Sequence, residues 1–568
     1  KKQGRHSAGV ERHGQQRTVC AVIRIVSRSV THVTGTLYRE LPRFKKGAPR
    51  YFIEADNDRI TAMVQIRPSD LGDAQPGDRI EVEIIKYPKP DYPSAQGRVT
   101  RVFGDTESKE ANYAVILHEN RIPTEFPEAV LDAAARAAAR PITENGRLDL
   151  RGSVIFTIDS EDAKDLDDAI SLEKTENGWL LGVHIADVAE YVRQNSAVDA
   201  EAYARGTSVY FVDSVVPMLP KVLSNGICSL NGGEDRYALS ALISLDHNGT
   251  ILGCECRETV IRSCIRGVYS ELNDILANGA QSQYYEKYGM LFPHVYPQMV
   301  QLYEILDSKN RARGALELET AEPRFILDEK GYPRDIVRRD RGVSERLIEQ
   351  FMLCANEAVA TWLSAMQMPC IYRIHEEPVP EKLQAFITFS HNLGLDVRPL
   401  KRRQLRSGDL QAVMNEARER GLDGVLSTVM LRSLSKARYS RVQNPHFGLA
   451  AECYCHFTSP IRRYPDLCVH RFVKAILHGE LDAHSAQKTE VFAEKAALQS
   501  TECEIRAMMA ERSIEDLYKV LYLEDKIGEE FVGTVSSVAS FGFFVALDNT
   551  CEGLVPIGDL DGFYTYDE

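Results

Sequence analysis

Between Thr31 and about Gly104, apolar and polar residues alternate in five short runs: Val33–Tyr38, Arg50–Glu54, Thr61–Ile66, Asp78–Tyr87 and Gln96–Phe103. Gly and Pro stand at the joints, in Lys46-Gly47, Gln75-Pro76-Gly77 and Lys89-Pro90. A period of two turns every second side chain to one face, so each run reads as a half-buried strand. Five strands in so short a span predict a small OB-type barrel. Residues 17–32 alternate in the same way behind a basic tail and read as the last part of a preceding module. The Ala-rich run 125–140 is strongly helix-prone and reads as a connector. Residues 145–480 mix strands such as Trp179–Ile185 with helices such as Ser344–Ala365. In that helix Leu347, Phe351, Cys354, Ala358 and Trp362 recur at helical spacing, a pattern that core packing explains. A long helix is predicted over His484–Lys526, and Gly528–Leu560 returns to strand character. The predicted fold class is α+β and multidomain, with OB-type barrels flanking a mixed α/β body. The predicted segments are 1–30, 31–104, 105–144, 145–480, 481–526 and 527–568.

At 568 residues the chain can bury several cores, and 44% hydrophobic with 26% charged residues is ordinary for a globular protein. No apolar run approaches the ~20 residues a membrane span needs. The first residue is a lysine, which leaves a targeting signal ahead of it open. Twelve cysteines include two Cys-x-Cys pairs, Cys254/Cys256 and Cys453/Cys455, and no Cys-x-x-Cys; reduced core thiols are expected. The net charge of −14 speaks against nucleic acid, but its distribution speaks for it. Residues 1–50 hold twelve Lys/Arg against Glu11 and Glu40, which leaves about −24 on the rest. Basic stretches recur at Arg334–Arg346, Arg398–Arg406 and Arg438–Arg471. Segregation of this kind suits a polyanion track over an acidic, metal-binding body.

The acidic chemistry centres on Thr157-Ile-Asp-Ser-Glu-Asp-Ala-Lys-Asp-Leu-Asp-Asp168, where Asp159, Asp165, Asp167 and Asp168 follow a D-x5-D-x-D-D spacing. Carboxylates this close raise each other's pKa unless a cation lies between them. Oxygen donors without His or thiolate select Mg²⁺ or Mn²⁺ over zinc. A solvated acidic turn, to which Glu161 and Asp162 add, is the plain alternative. The apolar flanks Val154-Ile-Phe and Ala169-Ile-Ser-Leu argue against it. An EF-hand loop is ruled out by the missing Gly at loop position six and Glu at twelve. A metal-dependent phosphodiester site is expected.

Two further segments add to this loop: Arg205-Gly-Thr-Ser-Val-Tyr-Phe211, with Val216-Pro-Met-Leu-Pro220 and Leu223-Ser-Asn-Gly226, and His456-Phe-Thr-Ser-Pro-Ile-Arg-Arg-Tyr-Pro-Asp466, continuing to His470-Arg471. Together the three resemble the RNB exoribonucleases of the ribonuclease II superfamily, on its ribonuclease R side, over nearly the whole chain. The resemblance implies the remnant of one cold-shock domain, a second cold-shock domain, the RNB catalytic domain with a helical end, and an incomplete S1 domain. It implies one or two Mg²⁺ ions (Mn²⁺ being an alternative) held chiefly by Asp159 and Asp168 and supported by Asp165. It ties Asp167 to the chemical step, makes Arg462 the catalytic arginine and puts Glu511 at the edge of the site. Tyr210 would pack on the last nucleotide, Phe325 would close the far end of the base stack, Glu349 would contact the terminal ribose, and Arg463 would join the RNA contacts. Processive 3′→5′ direction and release of 5′-nucleotides rest on the resemblance alone.

Elementary chemistry agrees with these roles. An arginine fork meets phosphate oxygens bidentately where lysine offers a point charge. Aromatic platforms and basic grooves hold single strands regardless of sequence. Each residue also has a plainer reading: Arg462 in a salt bridge with Asp466 one turn on, and Tyr210 and Phe325 in the core. His446, His456 and His470 lack a matched ligand set and read as structural. The expected partners are single-stranded RNA and RNA with 3′ overhangs, with no membrane and no NTP, since no Gly-x4-Gly-Lys-[Ser/Thr] segment is present. A cytoplasmic monomer is expected. Two alternatives stay open: a nonhydrolytic RNA-binding or chaperone protein with OB and S1 modules, and a metal phosphodiesterase acting on DNA.

Overall fold

A computed structural model describes residues 24–40, 49–57, 59–89, 93–144, 146–292, 294–317, 322–480, 483–562, 564 and 566. The chain divides into two units, residues 1–119 and 120–568. In the first, the strands His32–Glu40, Arg50–Ala55, Val64–Ile66, Asp78–Lys86 and Ala95–Asp105 form a closed barrel. Pairing is antiparallel except between Val64–Ile66 and Ala95–Asp105. The alternation seen in the sequence does the work: Val33, Leu37, Ile53, Val64, Ile66, Ile80 and Val82 point inward and bury one another. Closure at this diameter needs a residue without a side chain at Gly97, where a Cβ would sit 2.1 Å from a Val82 methyl. All five predicted strands are found. The strand expected over 17–32 does not extend through its described part, because residues 24–31 carry no strand. Residues 1–23 and 41–48, which hold most of the basic excess of the first fifty, lie outside the described residues.

Residues 105–144, the expected helical connector, hold two helices. Helix Lys109–Glu119 closes the first unit and buries Ala111 and Val115. Helix Glu128–Ala138 buries Val130, Ala134 and Ala137 in the main core of the second unit. Those three recur at helical spacing, so the Ala-rich run carries an apolar stripe and packs rather than links.

The second unit is built on a five-stranded sheet in the order Leu148–Asp149, Ile251–Arg262, Asp235–Asp246, Gly178–Ala186, Asp168–Thr175. The last four strands pair antiparallel. Leu181, Val183, Ile185, Leu239, Ala241 and Ile243 share one core with Leu347, Phe351, Ala355 and Val359 of helix Val343–Ala365. Helices Pro380–Asn392, Ser407–Glu419 and Asp423–Ser433 form a small lobe with its own core. Helix Ala483–Glu524 runs 42 residues and leads to a three-stranded sheet of Gly533–Ala539, Gly542–Leu547 and Glu552–Pro556. The described cysteines are free thiols, most of them buried. Among the described residues no helix is long and apolar enough to cross a membrane.

Candidate active site

The aspartate loop joins two strand ends that are already paired. Phe156 and Ile170 exchange backbone hydrogen bonds of 3.2 and 2.9 Å, so strands Thr157–Asp159 and Asp168–Thr175 bring Asp159 and Asp168 to one mouth. Burial raises the Asp159 carboxyl, and the charge of Asp165 adds to this; the Ser160 N–H at 2.7 Å opposes it. Asp168 is pushed up to about 7, by burial first and then by the charge of Asp159. Asp167 is 4% exposed. One of its oxygens accepts the Ile461 N–H at 2.8 Å, and the other is buried with no hydrogen-bond partner. Its pKa stands well above the carboxylate range because of burial, which Arg462 and the Ile461 N–H only partly offset.

The second segment meets this loop side on. Helix Ala197–Arg205 ends at Gly206, where φ is +68° and a Cβ would lie 2.5 Å from that of Cys503. That turn sends Thr207–Tyr210 along the third segment: the Ser208 N–H donates to the Arg462 carbonyl at 2.9 Å and the Thr207 hydroxyl donates to it at 3.1 Å. The Tyr210 hydroxyl donates to Asp165 at 2.7 Å, while its backbone N–H donates to Glu511 at 3.0 Å. The residue is 39% exposed, so Tyr210 is not a core residue. Burial and then Glu515 raise the Glu511 carboxyl, against the Tyr210 N–H.

Arg462 and Arg463 divide the work differently from the sequence reading. Arg462 points its Nε at the unpartnered Asp167 oxygen, 3.8 Å away, and its side chain is 43% exposed. The salt bridge with Asp466 that was the plainer reading for Arg462 belongs to Arg463, which donates to both Asp466 oxygens at 3.0 and 2.7 Å. The Arg463 guanidinium is held on a fully buried carboxylate that also caps the Ser459 N–H at 2.8 Å. Asp466→Ala should leave that guanidinium buried without its partner. The expected loss is about 3–5 kcal/mol of stability, read in urea melts.

Phe325 lies in strand Pro323–Leu327 with its ring edge-on to Tyr518 at 5.8 Å. Tyr518 in turn donates to Asp213, on the turn after Tyr210, at 2.6 Å. Glu349 is not brought to the aspartates. It is half exposed beside Arg341 at 3.8 Å and lines a cavity of about 530 Å³. The acid one helical turn earlier, Glu345, accepts from Asn273 at 2.8 Å and from the Gly342 N–H at 3.1 Å, and its charge acts on Tyr269, whose proton is held on by burial and then by the charges of Asp168 and Asp159. Sequence reasoning missed Tyr269 and Glu345; only the helical phase of Val343–Ala365, which separates residues one turn apart, carried a signal.

His470 is neutral and buried, as a structural histidine should be. Its Nε2–H donates to the Phe457 carbonyl at 2.8 Å, and burial pushes its pKa down to about 4. A folded-state value below the unfolded one of about 6.5 means that acid loads the unfolded chain first, so stability is lost as pH falls below about 6.5. His470→Asn should cost stability at pH 8, and the deficit should shrink by roughly 2 kcal/mol at pH 5. Chemical melts of both proteins at the two pH values measure this.

The donor set at the loop fits a hard divalent cation: oxygens only, carboxyls raised by burial and by neighbouring carboxylates, and a buried oxygen with no partner. Among the described residues, the trio of acids whose oxygens all lie within 4.8 Å is Asp187, Glu190 and Glu258. That trio already holds its countercharges, Arg147 at 2.8 Å and Lys474 at 2.7 Å from Asp187. It reads as a buried ion-pair network.

An oxygen-donor site on a mixed α/β body is the architecture of an RNB-type nuclease, and the comparisons agree. The RNB domain matches residues 147–479, the cold shock domain 52–127 and the S1 RNA binding domain 524–563. The chain belongs to the RNB family. Ribonuclease R 1 of Lactococcus lactis is 41% identical over 96% of this chain and 67% of its own length. Ribonuclease R of Thermotoga maritima is 39% identical over 96% and 76%, and that of Escherichia coli 33% over 99% and 68%. The structure of Mycoplasma genitalium RNase R in complex with ribose-methylated single-stranded RNA superposes with a TM-score of 0.87 at 30% identity, covering 96% of this chain and 85% of that one. Yeast Ssd1, a pseudonuclease, reaches 0.69 at 19% identity over 95% and 66%, which shows the fold alone. Fold therefore does not decide catalysis here, and the side chains must.

Proposed function

We propose that this chain is a Mg²⁺-dependent, processive exoribonuclease that shortens single-stranded RNA and structured RNA with a 3′ overhang from the 3′ end, releasing nucleoside 5′-monophosphates. The observation that carries the reading is Asp167, a buried carboxylate with one oxygen left open toward a half-exposed arginine. A protein that only binds RNA gains nothing by burying a charge beside bound phosphate, where it repels the ligand. Asp159 and Asp168, supported by Asp165, would hold the metal. When bound, it would supply Lewis-acid neutralisation of phosphoryl oxygens and a more acidic water. Asp167, with one oxygen on the Ile461 N–H and the other without a partner, would position a water and hold its proton. Arg462 meets the charge that builds on the phosphoryl oxygens. Tyr210 offers a ring face to the terminal base while its hydroxyl stays on Asp165. RNA complexes of Mycoplasma genitalium RNase R with single- and double-stranded RNA support the substrate class. Free thiols suit a reducing cytoplasm.

The test incubates 5′-labelled single-stranded RNA, overhang duplex RNA and single-stranded DNA with the protein, in Mg²⁺ or in EDTA. A ladder shortening from the 3′ end with RNA and Mg²⁺ only is expected. Equal loss of DNA would favour a general phosphodiesterase, and retention of intact RNA under every condition would favour a binding protein.

A further inference from the structure

The Leu223–Leu230 segment follows the tyrosine strand and reaches behind the aspartate loop. Ser229 is completely buried. Its hydroxyl donates to the Lys164 carbonyl at 2.9 Å and accepts the Leu166 N–H at 3.1 Å. The Leu230 N–H adds a bond of 3.0 Å to the Leu166 carbonyl. Three bonds thus land on residues 164 and 166, on either side of Asp165 and immediately before Asp167. The segment is itself braced, for the buried Arg236 donates to the Ser229 carbonyl at 2.8 Å and to that of Gly226 at 3.3 Å.

The rest of the loop's backbone is tied in the same manner. Arg266 donates to the carbonyls of Glu161 and Ala163, both at 2.7 Å, and the Ala186 N–H donates to that of Asp167 at 2.9 Å. The carbonyls of residues 161, 163, 164, 166 and 167 are therefore all held. Four carboxylates that repel one another would otherwise spread the loop, because burial strengthens their repulsion. Ser229 occupies the point where spreading would act: one hydroxyl spans the backbone on both sides of Asp165.

We propose that Ser229 is a positioning residue that sets the spacing of Asp165 and Asp167, and through it the affinity for the divalent cation and the rate of the chemical step. This rests on the metal-dependent nuclease reading above. Ser229 touches no substrate; it acts by keeping the carboxylates preorganised. Outer-shell partners of this type commonly change metal affinity by about 10–100-fold. Ser229→Ala removes the bonds to Lys164 and Leu166 at once, with a longer one of 3.4 Å to Asn231, and changes little else in volume. Ser229→Cys restores a weak donor and acceptor at the same place.

The experiment measures three things on wild type, Ser229→Ala and Ser229→Cys, at a temperature where melting curves show all three folded. Mn²⁺ binding to the RNA-free protein is followed by calorimetry. RNA affinity is measured by anisotropy in EDTA, and hydrolysis across a Mg²⁺ titration. Ser229→Ala is expected to bind Mn²⁺ about tenfold or more weakly, with unchanged RNA affinity. Its kcat should fall, and the Mg²⁺ needed for half-maximal rate should rise. Ser229→Cys should fall between the two. Wild-type Mn²⁺ affinity in folded Ser229→Ala would overturn the proposal, as would a uniform loss of rate at all Mg²⁺ concentrations with unchanged Mn²⁺ binding. A wild type that cleaves nothing would sink the nuclease reading itself, whereas an active wild type with an indistinguishable Ser229→Ala sinks only the clamp.

Discussion

Asp167→Asn is expected to abolish hydrolysis while leaving the protein at least as stable and at least as tightly bound to RNA. Asparagine keeps the shape and can still accept the Ile461 N–H that Asp167 accepts at 2.8 Å. It removes a negative charge that the fold disfavours: burial holds the Asp167 pKa well above the ordinary range, so the ionised form costs stability that a neutral amide does not. One charge fewer beside a phosphate also favours RNA. What is lost is the open oxygen that can take a proton, and with it about three orders of magnitude in kcat or more. Rate, melting temperature and anisotropy on one protein preparation check all three at once. If stability and RNA binding fall together with activity, Asp167 is a structural residue and its open oxygen has no part in the chemistry.

What was legible in the sequence was what local pattern determines. The barrel strands followed from period-two alternation, because side chains must choose between a core and water. The aspartate loop was legible because like charges at that spacing need a cation. Partner choice was not legible. Arg462 and Arg463 are neighbours in sequence and both within reach of Asp466 by count, and only the backbone direction set by Thr207, Ser208 and the loop Ser459–Arg463 sends one to Asp466 and the other to Asp167. Nor was the placement of Glu345 and Glu349 around helix Val343–Ala365 legible. Four residues make slightly more than one helical turn, and which of the two faces the aspartates depends on how the helix is rotated in the core, fixed by Leu347, Phe351 and Ala355. Ser229 carried no signal at all, since a buried hydroxyl gains meaning only from the carbonyl and N–H it finds.

Arg462→Lys is expected to lower kcat by about 10²-fold while leaving melting temperature and RNA affinity within a few-fold of wild type. Lysine keeps the positive charge near Asp167, so the ground-state balance around that carboxylate survives in sign. It loses the planar fork that can hold two phosphoryl oxygens as their charge develops, and a point charge on a flexible stem does not replace it. The side chain is 43% exposed, with one bond of 3.3 Å to the Ser459 hydroxyl, so little packing depends on the guanidinium. Arg463→Lys supplies the contrast. There the fork closes on a fully buried Asp466 through two bonds of 3.0 and 2.7 Å. Its loss should appear first as a lower melting temperature, with activity per folded molecule reduced much less. Steady-state kinetics and thermal melts of the two variants separate a residue that meets the transition state from one that holds the loop. Identical signatures, or a fully active Arg462→Lys, would remove Arg462 from the chemical step and leave Asp167 without the partner that its open oxygen faces.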